Sequence, residues 1–210
     1  LAAYLKERNI SVSLKALSLP LDHEARRLLY SGAYKRPDLF SWFFPTGTTV
    51  EYPTDFLDAI RKATQLLNLW VQAIGREKPA VIGISVFDKT LFASLLFVQR
   101  IKVQYPDIPV ILGGPACNRA NARFLCAEEL ADMVVVGEGE ETLASLLIQI
   151  RDNKIGPTPG AFVRLGNRIV DGGTRALLDI NALPLPDFSN LRHLKGIDTA
   201  LPIAFNRGCN

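Results

Sequence analysis

Three continuous apolar runs set the rhythm of the chain: AVIGISV at 80–86, PVILG at 109–113 and MVVV at 133–136. Runs of this length and β-branched content predict strands buried on both faces of a parallel sheet. Helical patterns alternate with them. Phe56, Ile60, Ala63, Leu67, Trp70 and Ile74 recur at spacings of four and three, predicting a long amphipathic helix opened by Thr54-Asp55 and closed by Gly75 and Pro79. Further helices are expected from about Thr90 to Gln104, over 119–130, and over 139–151, where Leu143, Leu146, Leu147 and Ile150 share one face. Strand–helix alternation at this tempo implies right-handed crossovers and an α/β fold, a doubly wound parallel sheet.

The two ends of the chain read differently. LAAYLKER at 1–8 looks like the end of a helix that Asn9 closes. Val12, Leu14 and Ala16 then alternate with Ser11, Ser13 and Lys15, which predicts a half-buried strand over 11–18. No strand precedes the first helix, so the first strand and its loop are expected upstream of Leu1. Both ends are expected to be cuts through a longer protein. Residues 19–52 interrupt the alternation with a stretch rich in aromatics, Gly and Pro. Two readings are open for Tyr30, Tyr34, Phe40, Trp42, Phe43 and Phe44: cover for a pocket or a neighbouring domain, or a satellite hydrophobic cluster under a long loop. AFVRL-GN-RIV (161–170) reads as a hairpin turning on Gly166-Asn167, followed by a proline-punctuated linker over 171–190. The expected organisation is a principal domain over 1–156, a hairpin and linker over 157–200, and the start of a further domain at 201–210.

Composition narrows the function classes. At 210 residues, 48% hydrophobic and with a net charge of +3, the chain is globular and not basic enough to point to nucleic acid. No apolar run reaches the roughly 18 residues of a membrane span, and no signal peptide is visible. Cys117, Cys126 and Cys209 are too widely spaced for a disulfide framework or a closed zinc site, so a reducing cytoplasm is expected. His23 and His193, in irregular segments, pair with nothing at metal-ligand spacing and read as structural or exposed. No nucleophile–base pair emerges, so this chain alone is not expected to do chemistry.

Candidate chemistry lies where the strands end, since open α/β sheets take ligands at the carboxyl edge. Gly113-Gly114 is either a tight turn or a place where a ligand approaches bare backbone. Ser85 is either a ligand donor or a turn cap, and Asp88 reads as a helix cap or surface residue. Glu138, Glu140 and Glu141 at a helix start suit the positive end of the helix dipole. They would repel a bare phosphate, but they can accept hydrogen bonds from sugar hydroxyls while Gly137 and Gly139 line a flat ring. Neither G-x-G-x-x-G nor G-x-x-x-x-G-K-[ST] occurs, which argues against ordinary nicotinamide or P-loop nucleotide binding.

In order, GISVFD, PVILGGPACN, ADMVVVGEGEETL, a hairpin, LPLPDFSNL and NRGC resemble the amino-terminal half of cobalamin-dependent radical S-adenosylmethionine enzymes. The resemblance covers nearly the whole chain and is weakest over 19–52. It implies a Rossmann-like, flavodoxin-like cobalamin-binding fold with a C-terminal hairpin and linker. The corrinoid would sit against the loops of Ser85, Val86, Phe87 and Asp88, of Gly113 and Gly114, and of Gly137, Glu138, Gly139 and Glu140. It also implies that Cys209 is the first of three thiolates holding a [4Fe–4S] cluster that cleaves S-adenosylmethionine in an adjoining barrel, with the other two beyond Asn210. The leading activity so implied is methyl transfer to an unactivated carbon of an unknown small-molecule or peptide substrate. The D-x-H-x-x-G motif of classical cobalamin domains does not occur, but the loop that would carry it is expected upstream of Leu1, so its absence carries no weight, and many radical enzymes of this class lack it. Two rivals stand beside this reading. One is a degenerate fold kept for interaction or substrate recruitment. The other is a flavodoxin-like signalling module, which needs an acidic cluster after the first strand and fits poorly with R-G-C at the end.

Overall fold

In a computed structural model of the chain, residues 1–15, 21–32, 41–43, 51–127 and 130–185 are described. Two compact units divide it, one formed by 1–15 with 175–210 and the other by 16–174. In the first, helix α1 (Ala2–Glu7) buries Tyr4 and Leu5. Asn9 ends it in the left-handed region at φ 56, and the Ile10 N–H returns to the Leu5 carbonyl at 3.0 Å. The expected strand over 11–18 does not form in its described part, 11–15, and Leu14 is 60% exposed. So short an alternation only specifies a strand when a sheet edge receives it.

The second unit carries the fold. A short helix α2 (His23–Arg26) runs into a π-helical turn, Arg27–Gly32, and then comes α3 (Thr54–Arg76). Beyond it the order is β1 (Ile82–Ser85), a 3-10 turn (Asp88–Thr90), α4 (Leu91–Gln104), β2 (Val110–Gly113), α5 (Ala122–Leu125), β3 (Met133–Val135), α6 (Glu140–Arg151), β4 (Ala161–Leu165) and β5 (Arg168–Asp171). The strands form one five-stranded sheet in sequence order. β1, β2 and β3 are parallel, while β4 and β5 are antiparallel to their neighbours. The hairpin is therefore part of the sheet itself, pairing Val135 with Ala161 and Met133 with Val163.

Residue alternation divides the core in two. Ile82, Val110, Leu112, Val134 and Phe162 face one side, where α3, α4 and α5 contribute Phe56, Leu67, Val71, Phe92, Leu95 and Leu125. Ile111, Met133, Val135 and Val163 face the other and meet Leu146 of α6. Fully burying a side chain the size of Val71 or Phe56 contributes about 1.5–3 kcal/mol, so the predicted stripe of α3 accounts for much of its stability.

Helix boundaries differ from the sequence pattern where side chains intervene. α3 begins one residue after Pro53, and the Asp55 carboxylate accepts from the Phe56 N–H at 2.8 Å. It runs through Gly75, beside which the Tyr105 ring lies too close to admit a Cβ, ends at Arg76, and is followed by Lys78 in the left-handed region at φ 48. The helix expected over 119–130 shrinks to Ala122–Leu125. Asn118 Oδ1 accepts from the Ala120 N–H at 3.0 Å, and Asn121 Oδ1 accepts from the Asn118 N–H at 3.0 Å. These side chains offer the backbone an alternative to helix.

The described aromatics of the insertion belong to the principal core rather than to a separate satellite cluster. Tyr30, Trp42, Phe43 and Tyr52 pack on the principal core, with the Phe43 and Phe92 ring centroids 4.9 Å apart. Tyr34, Phe40 and Phe44 lie outside the described residues, as do His193, Cys209 and the linker from 186 onward.

Candidate functional site at the carboxyl edge

In-register pairing of Ser85 with Gly113 and of Leu112 with Val134 brings the ends of β1, β2 and β3 to one edge. Ser85–Asp88, Gly113–Gly114 and Gly137–Glu140 lie at that edge, at the strand ends, in the loops leaving them or at the start of α6, but they do different things. The Val86 side chain is buried in the core. Its backbone ties two loops together, its N–H donating to the Gly113 carbonyl at 2.7 Å and its carbonyl accepting from the Ala116 N–H at 3.1 Å. Gly114 sits in this junction at φ +102, where a Cβ would come within 2.7 Å of the Val86 carbonyl oxygen and 3.0 Å of Ser85 Oγ. Gly114 is glycine because two loops touch there.

The remaining glycines leave space. A Cβ on Gly137, at φ +80, would meet nothing within 4 Å; on Gly139 and Gly113 it would meet only Val135, at 3.7 and 3.6 Å. Gly83, inside β1, likewise faces open space, and register places it with Ser85 and Gly113 on the side of the sheet that α6 covers farther along. Sequence reasoning passed over Gly83, although glycine inside a strand signals close approach of another group. Gly83, Ser85, Gly113, Gly137 and Gly139 thus make a strip of bare backbone with one hydroxyl. Such a strip accepts a flat or bulky ligand rather than a point charge.

Polar and apolar groups rim it. Phe87 is 56% exposed, and its backbone is locked by Thr90, whose Oγ1 donates to the Phe87 carbonyl at 3.1 Å. Asp88 is exposed in the first turn of the 3-10 segment, while Phe87 occupies the cap position. Glu138 is half-buried, whereas Glu140 is only 7% exposed at the first position of α6, where the helix dipole favours it. Arg119, in the loop after β2, pairs with Asp171 and lies 5.4 Å over the Phe162 ring.

Neither described cysteine is set up for chemistry. Burial pushes both the Cys117 and the Cys126 thiols up to about 12, outweighing the lowering effect of the Arg164 charge at Cys126. Thiols held protonated resist alkylation. Both are expected to stay unmodified by iodoacetamide in the native protein and to react once guanidinium unfolds it, as mass spectrometry would show. Rapid native labelling of either would contradict this burial. Among the described residues no group of His, Cys, Asp and Glu is placed to hold a metal ion, and no helix is long and apolar enough to cross a membrane. His23 is exposed.

Residues 54–147 match the family model described as the B12 binding domain. The matched stretch runs from α3 into α6 and includes every candidate residue at the carboxyl edge, which supports a cobalamin-binding domain there. No curated protein matches the chain.

Proposed function

We propose that this chain holds a corrinoid against the carboxyl edge of β1–β3 on behalf of a radical S-adenosylmethionine enzyme, with methyl transfer to an unactivated carbon as the leading activity. The observation that carries the corrinoid reading is the strip of bare backbone, which lies inside the stretch matching the B12 binding domain. Side chains at Gly113, Gly137 or Gly139 would occupy the space such a ligand needs.

Each element of the edge has a part. Gly137 and Gly139 admit the ligand to the backbone, and the Ser85 hydroxyl offers a hydrogen bond beside Gly114. Exposed Phe87 supplies an apolar rim that excludes water, and Glu138 is placed to accept from a hydroxyl or amide of the ligand. A bound corrinoid supplies organometallic methyl chemistry at cobalt; the protein contributes binding, orientation and a dry surface. The radical half of the reading rests on the order of motifs ending in Arg207-Gly208-Cys209. Cys209 would be the first cluster ligand, but one thiolate does not replace three, so the chain by itself is not expected to hold a [4Fe–4S] cluster.

Titration with hydroxocobalamin, followed by gel filtration and visible spectroscopy, tests the corrinoid reading. Co-elution of the cofactor with a spectrum shifted toward the base-off form is expected. A colourless protein under saturating cofactor would overturn the reading and favour a degenerate domain kept for interaction.

A further inference from the structure

The loop Val136–Gly139 is fastened at its start and just past its end to a single turn, 156–160, which connects α6 to β4. At its start the Val136 N–H donates to the Gly160 carbonyl at 2.8 Å. Just past its end, buried Thr142 donates from Oγ1 to the Pro159 carbonyl at 3.1 Å. The same turn is gripped two helical turns farther on, where Gln149 Nε2 donates to Thr158 Oγ1 at 2.9 Å and Gln149 Oε1 accepts from the Gly156 N–H at 2.8 Å. Spacing of seven along α6 puts Thr142 and Gln149 on one face. Behind the turn, Gly160 donates to the Gly173 carbonyl at 2.9 Å, and Gly172 lies so close to the Thr158 backbone that no Cβ fits between them.

We infer that the turn 156–160 is the device that holds Gly137–Gly139 open at the carboxyl edge, and that Thr142 is a positioning residue for the cofactor. The inference rests on the corrinoid reading above. Gly137 and Gly139 carry no side chains with which to anchor the loop, and a Cβ on either would meet at most Val135. The loop's geometry is set from behind, through the two attachments to Pro159 and Gly160. Preorganisation of this kind raises affinity by removing the cost of ordering the loop on binding. The sequence signal was slight: a threonine three residues after Gly139 reads as ordinary helix surface, yet it is fully buried.

Two substitutions separate its hydroxyl from its methyl group. Thr142→Val keeps the shape and loses the bond to Pro159, while Thr142→Ser keeps the hydroxyl and loses the methyl. Hydroxocobalamin affinity is expected to fall about tenfold in Thr142→Val and to stay within about twofold of the parent in Thr142→Ser. In the cofactor-free protein, amide exchange at Val136–Gly139 is expected to quicken in Thr142→Val and not in Thr142→Ser. Affinity that follows the methyl, or that is unchanged in Thr142→Val, would overturn the inference. Quickened exchange in a protein that retains no corrinoid would leave the positioning role standing and remove the corrinoid reading.

Discussion

Gly114→Ala is expected to destabilise the protein by about 3 kcal/mol and to weaken hydroxocobalamin binding more than about tenfold. Two independent penalties combine. The residue sits at φ +102, a conformation that costs an L-residue about 1–3 kcal/mol. The new methyl would also lie 2.7 Å from the Val86 carbonyl oxygen and 2.8 Å from its nitrogen, and backbone atoms do not swing aside as a side chain does. Relief requires moving the Ser85–Asp88 loop, which is tied through Val86 to Gly113 and Ala116. Stability and site geometry therefore fail together. Gly113→Ala is the matched comparison: its methyl would touch only Val135, at 3.6 Å, so the fold is expected to lose less than about 1 kcal/mol. Urea unfolding and cofactor titration of both variants check this. Equal stability of the two would show that the Gly114 contact is not as close as the structure places it.

The same pair of glycines shows how far the sequence could be read. Gly113-Gly114 marks a strand end in either case, and the strand–glycine rhythm located the edge without help from structure. Which glycine serves the fold and which leaves room for a ligand depends on what stands opposite, a long-range contact between loops that no local pattern contains. Strands 109–113 and 133–136 and the hairpin were legible because continuous apolar runs and Gly166-Asn167 are strong local signals. That the hairpin would complete the sheet in antiparallel fashion was not, since pairing partners are chosen by the core. The 119–130 helix failed for an equally physical reason. Ala122, Leu125 and Leu130 are buried as a helix would have them, but Asn118 and Asn121 bond to the backbone and take its donors away. The Thr142–Pro159 attachment was illegible because it joins residues seventeen apart through a turn whose position follows from β3–β4 pairing.

Asp132→Ala is expected to cost about 3–5 kcal/mol, the largest loss of stability of any single change considered, while leaving the cofactor site of the folded molecules intact. Asp132 stands at the opposite, amino-terminal edge of the sheet and gathers three elements on one carboxylate. Oδ2 accepts from the Val110 N–H at 2.8 Å at the start of β2 and from Lys102 Nζ at 2.7 Å at the end of α4, while Oδ1 pairs with Arg164 of β4. Its own backbone carbonyl accepts from the Arg164 N–H at 2.8 Å and from Cys126 Sγ at 3.3 Å. The Lys102, Asp132 and Arg164 side chains are 11%, 20% and 23% exposed, so water replaces little of what the carboxylate provides. An exposed ion pair contributes under about 1 kcal/mol; a partly buried one stripped of its partner leaves an uncompensated charge. Here Lys102 would keep only its bonds to the Pro106 and Ile108 carbonyls, at 3.0 and 3.2 Å, while Arg164, whose Nε already has no hydrogen-bond partner, would lose its carboxylate. Asp132→Asn, which retains an acceptor for the Val110 N–H but loses the charge, is expected to fall between the parent and Asp132→Ala. Urea unfolding measures the ladder. A loss below about 1 kcal/mol for Asp132→Ala would mean that the clamp is no stronger than a surface pair. A changed spectrum of bound hydroxocobalamin in the folded fraction would mean that the two edges of the sheet are coupled through β2 and β3.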